Sequence, residues 1–215
     1  MRIPQKNIVE FCGKPLIGWT IEAAQQSGIF SRILVSTDDP EIAAIAEKWG
    51  VAVPFLRNRY HDDNASVSMA TIYALDQVQK QFSEEFENVI QLMPNCPLRE
   101  SSHIQESHEH FISHNDAFQL SCFKFGWTNP WWAMTLDNKG RPSPLHPGAL
   151  NQRSQDLEKL YCPSGAIWIA NIAALRQSGT FYGPAHRFHP LDWKAAIDID
   201  DREDMEMAEA LYHMR

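Results

Sequence analysis

Neither a G-x-G-x-x-G nor a G-x-x-x-x-G-K-[ST] loop occurs anywhere in the 215-residue sequence, so the two common backbone cradles for phosphate are missing from it. A G-x-S-x-G elbow is missing too, which removes the usual Ser-His-Asp hydrolase arrangement. Cysteine is scarce: Cys12, Cys96, Cys122 and Cys162 stand far apart and form no C-x-x-C pair, so a disulfide scaffold is not expected and reduced, cytoplasmic thiols are. No apolar run approaches the roughly 20 residues that span a bilayer, and no membrane partner is expected. Positive charge is also short. With 19 Lys and Arg against 27 Asp and Glu, the net charge is -8, which argues against a general binder of nucleic acid or anionic membrane. An anionic substrate would have to be met by local Arg and Lys or by a metal.

What is present is an ordinary globular composition, 44% hydrophobic and 21% charged, in a chain long enough for one full core over 1–215. Leu16, Ile17, Thr20, Ile21 and Ala24 recur at helical spacing after Pro15, with Gly28 near the end of that helix. Arg32 to Thr37 predicts a strand, and Asp38 or Asp39 caps a helix from Glu41 to Trp49. Val51 to Phe55 predicts a second strand, weakened by Pro54. Loop residues 62–66 lead into a helix ending near Lys80, then come a strand over Asn88–Met93 and the loop Pro94-Asn95-Cys96-Pro97. A helix over Ser101–Ser113, a strand over Ala117–Phe125, a strand over Gly165–Ala170 and a helix over Asn171–Gln177 continue the alternation. This rhythm predicts an α/β fold with a mostly parallel sheet covered by helices on both faces. In such sheets ligands gather beyond the carboxyl ends of the strands. Between 126 and 160 the rhythm breaks into a segment with Trp127, Trp131, Trp132 and four prolines, which suits either a partner surface or a core-covering loop.

The most informative stretch is Ala196-Ile197-Asp198-Ile199-Asp200-Asp201. Its period-2 alternation predicts a final strand with Asp198 and Asp200 on one face. Two neighbouring carboxylates repel unless a hard cation lies between them, and Mg2+ is held by one or two carboxylates plus phosphate oxygens and water. The simpler alternative is that Asp200 or Asp201 merely caps the helix that begins at Arg202. Lys6 and Asn7 precede the first helix, where a lysine can meet a phosphate as a point charge. His110 and His114, four apart on one predicted helix with His103 and His108, have metal-capable spacing, but no carboxylate or cysteine completes the set in an obvious way, so a solvated face is preferred. Cys96 is better explained as a small buried thiol than as a nucleophile.

Taken together, several stretches resemble the acylneuraminate cytidylyltransferase family, the enzymes that make CMP-activated sialic and related nonulosonic acids. They are Arg2-Ile3-Pro4-Gln5-Lys6-Asn7, Gly13-Lys14-Pro15-Leu16-Ile17, the run Val35 to Ala43, Val53 to Arg57, Asp63-Asn64-Ala65-Ser66, Pro97-Leu98-Arg99, Gly165-Ala166-Ile167-Trp168 and Ile197 to Asp200. They recur in family order over almost the whole chain. The resemblance implies a Rossmann-like fold of the nucleotide-diphospho-sugar transferase type. It implies attack of the anomeric hydroxyl of a nine-carbon keto-acid sugar on the α-phosphate of CTP, with pyrophosphate leaving. It also implies Mg2+ on Asp198 and Asp200, a phosphate contact at Lys6, nucleotide contacts at Asn7, Arg57, Ala65 and Ser66, and sugar contacts at Asn95, Arg153 and Gln155. The 126–160 segment corresponds in position to the family's dimerisation arm, so a homodimer is expected.

The sequence departs from that pattern twice. The family opens with a strand and an Ile-Pro-Ala-Arg-x-Gly-Ser phosphate loop that are not found before Lys6. Either the start lies upstream of Met1 or this is a shortened form, and the expectation is little activity until upstream codons are restored. Met93-Pro94-Asn95-Cys96-Pro97 stands where sialic-acid enzymes carry Gln-Pro-Thr-Ser-Pro. Met93 cannot make an amide's hydrogen bonds, which points to a pseudaminic-, legionaminic- or other nonulosonic-type sugar. A Kdo-type nucleotidyltransferase and a non-catalytic nucleotide-binding remnant stay open as alternatives.

Overall fold

The computed structural model describes residues 3–60 and 65–215. Its elements in chain order are β1 (Glu10–Phe11), β2 (Lys14–Pro15), α1 (Leu16–Ser27), α2 (Pro40–Lys48), α3 (Val67–Phe82), β3 (Asn88–Gln91), α4 (Ser101–His114), β4 (Phe118–Lys124), β5 (Met134–Leu136), β6 (Pro142–Pro144), β7 (Tyr161–Asn171), α5 (Ile172–Ser178), β8 (Arg187–Leu191) and α6 (Arg202–Tyr212). Arg2 and loop residues 62–64 lie outside the described residues.

The central sheet runs in the order β3-β7-β4-β8. β7 pairs antiparallel with both β3 and β4, and β4 pairs parallel with β8. β3, β4 and β8 therefore point the same way and β7 alone runs against them. The expected common strand direction is present, but β7 sits between two of its members, so two of the three ladders are antiparallel. Both faces are covered. Along β7, Ile167 and Ile169 pack with Ile104 and Phe111 of α4 and Ala23 of α1, while Trp168 and Ala170 pack with Ile72 and Leu75 of α3 and Leu175 of α5. Alternate side chains of a strand point to opposite faces, so a strand buried on both sides must be apolar throughout, as Ala-Ile-Trp-Ile-Ala is.

Three strand expectations are corrected. Segments 32–37 and 51–55 form no ladder; they meet through two isolated parallel bridges, Leu34 with Ala52 and Thr37 with Leu56. Pro54 has no N–H to contribute there, which limits pairing between the bridges. The 197–200 segment is extended but belongs to no named strand; its backbone is held by Ile199 N–H donating to Asn95 O (2.9 Å) and Ile3 N–H donating to Asp200 O (3.3 Å). β8 was not expected, because Arg-Phe-His-Pro-Leu carries no alternating apolar signal and Pro190 suits only a sheet edge. The 126–160 segment is a small two-stranded ribbon, β5 with β6, flanked by short 3-10 turns.

Candidate active site

Ile197 and Ile199 enter a core cluster with Phe11, Leu16, Leu98, Met205 and Ala208, Ile199 being fully buried. Their burial fixes the rotation of the segment and turns Asp198 and Asp200 to the opposite side. The alternation thus works through packing rather than through a ladder. The capping alternative resolves in favour of the neighbour: Asp201 Oδ1 accepts from Glu203 N–H (2.9 Å) and Asp204 N–H (3.2 Å). Asp204 reciprocates by accepting from the backbone N–H of Asp200 and Asp201 (2.9 and 3.0 Å). With α6 capped by Asp201, the Asp200 carboxylate reaches Lys6, whose Nζ lies 2.5 Å from Asp200 Oδ1.

Lys6 comes from a 3-10 turn, Lys6–Ile8, entered through Gln5 in the left-handed region (φ 48°). A non-glycine residue held there stores backbone strain that the surrounding contacts must balance. Asn7 lies in the same turn. On the other side, Asn95 Nδ2 donates to Asp198 Oδ1. Asn95 Oδ1 is buried without a hydrogen-bond partner among the described residues. The Asp198 carboxyl is pushed above its ordinary range, first by desolvation and next by the charge of Asp200, against the opposing pull of Lys6 and Asn95. Asp198 still presents surface to solvent, so the cause is the protein packed around its carboxyl rather than full burial.

The loop that carries Asn95 is pinned from below by Arg99, a residue that sequence reasoning quoted only within a motif. Arg99 is 2% exposed; its guanidinium donates to Ala166 O (2.5 Å), Met93 O (3.1 Å) and Thr20 Oγ1 (2.6 Å). Burial lowers its pKa to about 10. Gly165 lies so close to this loop that a Cβ there would meet Met93 Cγ at 2.8 Å, which explains a glycine at this point of β7. Cys96 is fully buried and its thiol is pushed up to about 12, chiefly by desolvation, consistent with an inert thiol.

The remaining expected positions fall into two groups. Arg57 follows the second bridge; its N–H donates to Thr37 O (2.8 Å) and its Nη2 lies 3.4 Å from Asp38 Oδ1. Its Nε is buried without a hydrogen-bond partner among the described residues. Ser66 caps α3, its Oγ accepting from Met69 N–H (3.1 Å), with Ala65 just before it. Arg153 and Gln155, by contrast, lie in the 126–160 segment. The Arg153 side chain is 74% exposed and ion-paired locally with Asp156 (2.9 Å), and Gln155 is exposed, so the structure does not gather these two around Asp198.

The donors at the acidic pair are carboxylate oxygens, those of Asp198 and Asp200, with the Asn95 amide N–H on Asp198. Hard oxygen donors with unbalanced negative charge fit Mg2+ chemistry. A lysine beside them fits an anionic ligand such as a phosphate.

The family model described as Cytidylyltransferase matches residues 1–125. Pseudaminic acid cytidylyltransferase of Campylobacter jejuni (serotype O:23/36, strain 81-176) is 33% identical over 212 residues, covering 98% of this chain and 90% of that protein. CMP-N,N'-diacetyllegionaminic acid synthase of Legionella pneumophila is 30% identical over 222 residues, covering 99% and 91%. Among solved structures, a CMP:2-keto-3-deoxy-manno-octonic acid synthetase complexed with CTP superposes with a TM-score of 0.70 at 15% identity, covering 99% and 93%, which shows a shared fold. The chain belongs to the cytidylyltransferase family.

Proposed function

We propose that this protein transfers CMP from CTP to the anomeric hydroxyl of a sialic-acid-like nonulosonic acid, releasing pyrophosphate. The carrying observation is that Asp198 and Asp200 share one side of an extended segment, with Lys6 at one carboxylate and Asn95 at the other. The relatives named above, whose names specify pseudaminic and legionaminic acids, supply the substrate class. Met93 in place of a hydrogen-bonding amide is consistent with such a sugar.

In this reading Asp198 and Asp200 hold Mg2+. The ion supplies neutralisation of phosphate charge and orientation of the reacting phosphate. Lys6 exchanges its ion pair with Asp200 for a phosphate oxygen of CTP. Asn95 holds the Asp198 carboxylate in one orientation. Arg57, Asn7, Ala65 and Ser66 line the nucleotide side. The sugar's hydroxyl oxygen forms the new bond to Pα while the Pα–O bond to pyrophosphate breaks; for such a transfer positioning and electrostatics are the main contributions of the protein. Arg153 and Gln155 would reach the sugar only if the 126–160 segment rearranged or contributed to another copy's site. That segment carries an exposed apolar surface, with Trp127 92%, Leu136 68% and Leu145 57% exposed, which a second copy of the chain would cover in a cytoplasmic homodimer built from single-domain subunits.

The test is product formation from CTP, UTP, ATP and GTP with a panel of pseudaminic, legionaminic and N-acetylneuraminic acids and Kdo. A CMP-nonulosonate with stoichiometric pyrophosphate supports the proposal. Preference for Kdo would replace the sugar, and Mg2+-dependent CDP binding without turnover of any sugar would make the chain a nucleotide-binding protein.

A further inference from the structure

The far end of the sheet carries a second cluster with different chemistry. β3, β4 and β8 run in one direction, and Asn95 follows the carboxyl end of β3. The last turn of α4 and the start of β4 lie at the opposite end. There a ring nitrogen each from His110 and His114 and a carboxylate oxygen of Asp116 lie within 4.8 Å of one another. The helix ends at Asn115 in the left-handed conformation (φ 51°), and that reversal brings Asp116 alongside the two histidines.

The surrounding hydrogen bonds fix the tautomers. Gln119 is buried, and its Nε2 donates to Ser107 O (2.7 Å), so its Oε1 faces His110 Nδ1 at 2.7 Å and can only accept. His110 therefore carries its proton on Nδ1. His114 Nδ1 lies 2.8 Å from the carbonyl oxygen of His110, another obligate acceptor, and is protonated for the same reason. Each ring then offers its lone pair at Nε2. An imidazole whose other N–H is held by a carbonyl oxygen is the usual outer arrangement of a metal-ligating histidine. The two rings stack with centroids 4.0 Å apart. Asp116 is oriented by Arg187, whose Nε donates to Oδ2 at 2.6 Å, and a carboxylate has lone pairs enough to serve a metal as well. His189 of β8 lies against His110 (centroids 4.5 Å).

We infer that His110, His114 and Asp116 form a binding site for a divalent transition-metal ion of the zinc class, separate from the acidic pair at the other end of the sheet. Two imidazoles and a carboxylate on adjoining elements are a zinc-type donor set with an open position for water. The ion would tie the end of α4 to the turn before β4. Magnesium, which prefers oxygen ligands, would not compete for it.

The test uses the untagged full chain, stripped of metal, titrated with Zn2+ against a chromogenic chelator in excess Mg2+, with thermal unfolding read in parallel. The expected result is one Zn2+ per chain and a raised unfolding temperature. Co2+ in its place should give visible d–d absorption of a four-coordinate N/O site. His114→Gln, at an exposed position, and separately Asp116→Asn should each weaken Zn2+ binding by at least about tenfold and remove most of the thermal shift. Failure of the wild type to bind near one equivalent, or equal binding by both variants, would overturn the inference; equal binding would place the metal elsewhere, for instance at Cys122 and Cys162.

Discussion

The two ends of the central sheet invite comparison. At one, Asp198 and Asp200 present carboxylate oxygens beside the Lys6 ammonium and the Asn95 amide. At the other, His110, His114 and Asp116 present mainly nitrogen donors with their second nitrogens tied to carbonyl groups. The oxygen end is under electrostatic tension: Asp198 is pushed up by desolvation and by Asp200, and a cation with a triphosphate would relieve it. The contrast is one of donor type: carboxylate oxygens at the acidic pair, mainly imidazole nitrogens at the histidines.

The sharpest way to break this contrast is to remove charge at the oxygen end. Asp198→Asn and Asp200→Asn should each cut CMP-sugar formation by about 10²–10³-fold, the scale of losing one preorganised charge-stabilising group, while leaving Zn2+ binding at the histidine end unchanged in a chelator competition. Second in size is the support under the Asn95 loop. Arg99→Met keeps the volume but strips donors from Ala166 O, Met93 O and Thr20 Oγ1. It should cost about 2–4 kcal/mol in urea unfolding, with turnover falling through the loop. Asp201→Ala then distinguishes cap from ligand: loss of the bonds to Glu203 and Asp204 N–H should cost about 1 kcal/mol of stability and leave the Mg2+ requirement of turnover unchanged.

The smallest effect runs in the opposite direction. A carboxyl whose pKa is raised in the folded state opposes folding once it ionises, and this penalty is present above the folded pKa and absent below the unfolded one. Without metal, Asp198→Asn should therefore unfold at a slightly higher temperature than the wild type at neutral pH. The gap should close as pH falls through the ordinary carboxylate range. A variant less stable than the wild type at neutral pH would show that Asn95 and Lys6 outweigh desolvation.

Much of the helical layer was legible because its signals are local. Pro40 in the first turn with Asp39 as cap, Ser66 before α3, and apolar spacing in α1 each mark a helix without reference to the rest of the chain. The strands were legible where both faces are buried, as in β4 and β7. They were lost where pairing depends on a partner, as in β8, which pairs with β4 at the sheet edge among the described residues, and in the 32–37 and 51–56 segments, which meet at two bridges. Strand order was not readable either, because β7 returns antiparallel after a 36-residue excursion between Lys124 and Tyr161.

At the site, the Ile-Asp-Ile-Asp alternation correctly put both acids on one side, although packing of Ile197 and Ile199 rather than a ladder enforces it. Lys6 and Asn95 lie far from these acids in sequence, and family resemblance drew attention to them. Arg153 and Gln155 followed from resemblance alone, and the structure keeps them on the exposed ribbon. The histidine end was half legible: four-residue spacing paired His110 with His114, but Asp116 lies beyond a chain reversal and His189 on an unforeseen strand.

One measurement bears most directly on the central claim: calorimetric titration of CTP into the full chain at increasing Mg2+, wild type beside Asp200→Asn. Binding to the wild type should tighten as Mg2+ rises, and the variant should lose that dependence. CTP binding that ignores Mg2+ in the wild type, or that strengthens equally in the variant, would contradict a role for the two acids in holding the nucleotide's cation.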